Sequence, residues 1–284
     1  MRLDDLRPTE NVDDRRGLRG RGVALGGGGL GIVAVAVIVM LLGGDPTQIL
    51  SQMGDISTAP TDSTAPSGPR ADDASFQFSR KIIGSTEDVW TKIFAARGLR
   101  YEPAIFTPYD GSTQTGCGAG QSMMGPFYCS ADKRVYIDLS FFDELRTRFG
   151  APGEFAQAYV LAHEVGHHVQ DLLGTMANVQ ARYRGAMEGA DGGSVRLELQ
   201  ADCYAGVWAY NANRDFSILE QGDVEQGLAA ANAVGDDTLQ RQTQGRVAPD
   251  SFTHGSSAQR VRWFTRGMQT GDMNQCDTFS ATTL

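Results

Sequence analysis

No basic stripe runs through this sequence of 284 residues, and its formal net charge is −9. Nothing in it could neutralise a phosphate backbone, so a nucleic-acid partner is excluded. No internal repeat is visible, which removes solenoid and propeller architectures. From Asp45 to Ala74 large apolar residues are scarce, and runs such as "STAPTDSTAPSGPRADD" cannot build a core. A disordered, flexible linker is expected over residues 45–75.

Charge itself is missing from Gly22 to Gly44, where "LGIVAVAVIVMLL" is almost purely aliphatic. At ~1.5 Å rise per residue such a run matches a hydrocarbon core about 30 Å thick, and it reads as one transmembrane helix over residues 22–44. A cleaved signal peptide is the competing reading. The long segment before the run and the absence of a small-x-small site after Leu42 disfavour it. Arg15, Arg16, Arg19 and Arg21 precede the run, whereas the first basic residue after it is Arg70. The expected topology is a single-pass anchor in the cell membrane, with residues 1–21 cytoplasmic and everything after Gly44 extracytoplasmic. In that oxidising setting the four cysteines can form two bridges. We expect Cys117 to pair with Cys129, which leaves Cys203 for Cys276.

Residues 76–284 suffice for one domain, and 41% hydrophobic content is ordinary for a folded chain. Ser85 reads as the N-cap of a helix that stops at Gly98, and Ala104–Tyr109 and Arg134–Leu139 read as strands separated by Gly-rich loops. Helices are expected after Ser140, from Glu154 to about Leu173, from Ser194 to Asn211, and near Glu220–Val234 and Ser257–Gly267. The fold class is α+β, mainly helical with a small sheet. Trp90, Trp208 and Trp263 fall at helical positions and read as core.

"LAHEVGHHVQD" (Leu161–Asp171) holds the chemistry. His163 and His167 lie four apart, on one helix face, where both imidazoles can meet a single ion. Glu164 sits one step round the turn, placed to take a proton from a water whose pKa zinc has lowered toward ~7. The third ligand is not in the same run. Gln170 and Leu173 occupy the positions where a metzincin carries its glycine and last histidine. Asp171 lies about 6 Å up the axis from His167, and three ligands in line on one rigid helix do not converge on a tetrahedral ion. His168 points about 100° away. "RLELQADCYAG" (Arg196–Gly206) offers Glu198 and Asp202 on the inner face of a second helix. Glu198 as third zinc ligand, with Asp202 accepting from the distal nitrogen of a ligand histidine, satisfies both carboxylates.

Together "HEVGHH", "ELQADCYAG" and "SFTHGSSAQRVRWF" resemble the neutral zinc metallopeptidase family of bacterial membrane-anchored proteins, and the two helix motifs are similar to those of the wider Glu-zincin peptidases. The resemblance covers nearly the whole chain. It implies a zincin-like domain binding one Zn2+ through His163, His167 and Glu198, with Glu164 as base and Asp202 behind the ligands. It further implies that His254 and Arg260 steady the oxyanion. The expected activity is hydrolysis of a peptide or protein substrate. A zinc-stabilised surface module without turnover is the alternative, as is a hydrolase of other bonds. Extended substrate could add to a sheet edge, for which "VYIDL" (Val135–Leu139) is the candidate.

Overall fold

The computed structural model describes residues 1–17 and 72–284; the expected span 22–44 and nearly all of the expected linker lie outside them. Among the described residues no helix is long and apolar enough to cross a membrane. The first helix, α1 (Asp73–Ala96), starts before the expected boundary at Phe76, so residues 73–75 belong to the fold. Ser85 does not cap it. It lies buried mid-helix, donating to the Ile82 carbonyl and accepting from Trp208 Nε1. The Gly-Ser-Thr run that reads as a start signal is instead a narrow, buried stretch of helix: a Cβ at Gly84 would come within 2.3 Å of the Arg7 carbonyl oxygen.

β1 (Ile105–Tyr109) follows, then the exposed hairpin β2 (Ser112–Thr115) and β3 (Gly118–Gln121), and then β4 (Phe127–Cys129) and β5 (Arg134–Asp138). The hairpin and β4 fall in the segment expected to be loops, because neither shows an alternating apolar pattern. β5 pairs in parallel with β1 and antiparallel with β4, so the three strands run in the order β1-β5-β4. Val135 and Tyr136 are thereby paired on both sides, and Ile137 and Asp138 on the β1 side. The expected peptide-binding edge is corrected accordingly: the open edge of this sheet is β4. Cys129 on β4 is bonded to Cys117 at the hairpin turn.

The remaining helices are α2 (Phe141–Thr147), α3 (Glu154–Leu172), α4 (Thr175–Arg182), α5 (Gly193–Phe216), α6 (Asp223–Ala233), α7 (Asp236–Gln244) and α8 (Ser257–Thr270). α4 and α7 were not foreseen; both are short, and α4 is mostly exposed. α3 and α5 are buried along most of their length, and the core they form with α1, α6 and α8 includes Trp90, Trp208 and Trp263.

Glycine fixes how closely the helices meet. A Cβ on Gly166 of α3 would lie 2.9 Å from the Ala201 carbonyl of α5, and one on Gly267 of α8 would lie 2.0 Å from the Cys203 carbonyl. Only hydrogen fits there without backbone movement. α3 and α8 therefore press on the same few residues of α5, 198 to 207. The Cys203–Cys276 bond then staples the C-terminal tail to that stretch of α5.

Candidate metal centre

α3 presents His163 and His167 to α5, which presents Glu198 and Asp202 in return. One ligand atom from each of His163, His167 and Glu198 lies within 4.8 Å of the others. The Glu198 carboxylate bridges the two rings, with Oε2 3.2 Å from His163 Nε2 and Oε1 3.3 Å from His167 Nε2. Two imidazole nitrogens and one carboxylate oxygen form the donor set of hydrolytic zinc sites. The residues fit the ion.

Each distal nitrogen is tied back into the protein. His163 Nδ1 donates to Asp202 Oδ1 at 2.9 Å. Asp202 is wholly buried and also accepts from Tyr159 and, through both oxygens, from Nε and a terminal nitrogen of Arg260, at 2.9 Å each. His167 Nδ1 donates to Gln170 Oε1 at 2.9 Å, while the Gln170 amide donates to the Leu197 carbonyl and to Gln200 Oε1. Gln200 in turn donates to the Cys276 carbonyl, so the stapled tail ends a chain of amides that begins at a ligand ring. These contacts fix both tautomers and turn both Nε2 atoms toward Glu198. Sequence reasoning found Asp202 but missed Tyr159 and Gln170. The available signal was helical spacing: Tyr159 lies one turn before His163, and Gln170 three residues after His167.

Replacing Gln170 with Leu keeps most of the bulk and removes the acceptor. We expect zinc affinity to fall about 10- to 100-fold, the range seen when an outer partner of a metal-bound histidine is lost. Competition against a chelating dye measures it.

Burial opposes charge throughout the cluster, and the partners overcome it. Burial works against a proton on His163, but Asp202 and Glu198 outweigh it and hold the pKa up to about 10. Burial likewise resists ionisation of Glu198 and Asp202, yet the histidines keep Glu198 well below the usual carboxylate range, and Arg260 and His163 depress Asp202.

Glu164 is 7% exposed, one step round α3 from His163, and no side chain among the described residues engages its carboxylate. Arg260 has a structural partner that the sequence did not indicate. It is 3% exposed, and its guanidinium is held against Asp202, with a terminal nitrogen 4.0 Å from Glu198 Oε2, so it braces the partner of a ligand histidine. His254 lies on the loop before α8, its side chain half exposed. A Cβ on Gly255 would touch Val195 and Leu199, which places this loop on the ligand helix α5 beside Glu198. Asp236, at the start of α7, gathers the loop by accepting from the backbone N–H of Thr253, His254 and Gly255 and lies 3.2 Å from His254 Nδ1. His168 and Asp171 are not ligands. His168 donates from Nε2 to the Glu102 carbonyl, and Asp171 accepts from Tyr128 of β4.

The fold and the site define a pair of helices in which H-E-x-x-H on one meets E-x-x-x-D on the other, a donor set suited to zinc. The profile of the family described as "Putative neutral zinc metallopeptidase" matches residues 1–279, and the chain belongs to that family. It is 46% identical over 286 residues to the uncharacterized protein YpfJ of Escherichia coli K12, with 98% of this chain and 99% of that protein covered. It is also 46% identical over 261 residues to the uncharacterized protein Rv2575 of Mycobacterium tuberculosis H37Rv, covering 86% of each. No solved structure matches the chain.

Proposed function

We propose that this protein is a zinc-dependent endopeptidase in which Glu164 is the general base. The carrying observation is the convergence of His163, His167 and Glu198 with both distal ring nitrogens already committed. Zinc, when bound, supplies Lewis acidity that polarises a carbonyl and acidifies water. The rest is the work of this chain. Glu164 accepts the proton of the attacking water and returns it to the leaving amine. His254, with Nδ1 turned to Asp236, directs Nε2 away from its own loop, and we assign it to the developing oxyanion. Arg260 holds Asp202, and Asp202 holds His163. The open edge of β4, anchored to α3 by the bond from Tyr128 to Asp171, is the side on which an extended peptide can add main-chain hydrogen bonds.

We further propose that the domain works outside the cytoplasm. Its two disulfides suit an oxidising compartment. The test uses the purified full chain, measuring zinc content together with cleavage of a mixed quenched-fluorescent peptide library. Stoichiometric zinc with no cleavage would leave the non-catalytic module instead.

Asp236 supplies a pH-dependent check. Partial burial opposes charge on His254, but Asp236 and Glu198 outweigh it and raise its pKa, while His254 and the loop N–H groups depress that of Asp236. The raised histidine adds stability below its unfolded value of about 6.5 that is lost as pH rises through the folded pKa. The depressed aspartate adds stability above about 3.9 that is lost as pH falls through its folded value. The pair thus grips the loop best between roughly pH 4 and 6.5. In Asp236→Asn the His254 pKa is expected to fall from its raised position toward about 6.5, read by NMR titration of the imidazole.

A further inference from the structure

Residues 3–17 were expected to lie across a membrane from the domain. In the structure they are built into it. Leu6 and Thr9 are buried, at 4% and 0% exposure. The Arg7 carbonyl rests where Gly84 of α1 leaves no room for a side chain. Glu87 of α1, itself buried, accepts from Thr9 Oγ1 at 2.5 Å, Asn11 Nδ2 at 2.9 Å and Arg7 at 2.9 Å. Beyond Asn11 the segment continues the sheet as a parallel neighbour of β1: Phe106 N–H donates to the Asn11 carbonyl, and Asp13 and Arg15 N–H donate to the carbonyls of Phe106 and Pro108. Arg134 of β5 reaches across to Asp13 at 2.5 Å. Undocking would strip a buried carboxylate of three donors and open a sheet edge.

The segment also ends where α1 begins. Arg16 lies 3.2 Å from Asp72 and 3.5 Å from Asp73, with its guanidinium 3.9 Å from the centre of the Phe76 ring. The two described ends that flank residues 18–71 thus lie side by side on the domain. A path that departs from and returns to one point crosses a bilayer an even number of times. The uncharged run Gly22–Gly44 holds 23 residues, the length of one helical crossing and too short for two. Docking of residues 3–17 and a single crossing between them and the domain cannot hold together.

We infer that residues 3–17 and 72–284 stand on the same face of any membrane the protein meets, with residues 3–17 serving as a strand and brace of the metal-site domain. The test labels intact cells carrying the full chain as Glu10→Cys or as Gln242→Cys, both exposed positions, with a membrane-impermeant maleimide before and after permeabilisation. The native cysteines are paired in disulfides, so the wild type sets the background. Both variants are expected to label under the same condition and to a similar extent. Labelling of one in intact cells and of the other only after permeabilisation overturns the inference. Labelling of both only after permeabilisation upholds it while removing the extracytoplasmic placement, and neither result bears on peptide cleavage, which is measured separately.

Discussion

Glu164→Gln is expected to retain zinc and lose peptide hydrolysis by about 10²- to 10⁴-fold, the scale of a positioned general base. The amide is nearly isosteric and cannot take a proton, while His163, His167 and Glu198 are left in place. Metal content beside kcat on the same preparation separates the two effects. Turnover that survives the substitution removes Glu164 as base. Loss of zinc with the activity would show that the carboxylate helps to hold the site together.

Arg260→Ala is expected to destabilise the fold by about 3–5 kcal/mol, because Asp202 would keep its charge at 0% exposure without its main counter-ion. Both Asp202 oxygens are gripped by one guanidinium, a fork that lysine cannot reproduce, so Arg260→Lys should recover only part of the loss. Denaturant unfolding of the metal-free protein measures this without interference from zinc binding. An oxyanion role would instead leave stability almost unchanged and reduce kcat alone.

The candidate ligands could be read in the sequence because helical periodicity is a local rule. His163 and His167 share a face by spacing, and Glu198 and Asp202 do so for the same reason on their own helix. Pairing those two helices required a chemical argument, that carboxylates turned to a core need partners. Arg260 shows where such reasoning stops. The resemblance implied joint action with His254, yet a long side chain can reach either a cleft or the back of a ligand, and its grip on Asp202 emerges only once α5 and α8 meet at Gly206 and Gly267. The hairpin β2-β3 was missed because Gly-rich, exposed strands carry no alternation to read. Residues 3–17 were missed for a different reason. Their apolar content is too small to signal docking, and the partners that hold them, Gly84, Glu87 and the edge of β1, lie more than seventy residues away in the chain.

The Gly166 contact with Ala201 gives the metal site a fixed gauge. Where side chains separate two helices, a change of rotamer can widen or narrow the gap; here main chain rests almost on main chain, and the spacing behaves like a set calliper. A single added methyl at residue 166 would spring it open while every donor atom remained present.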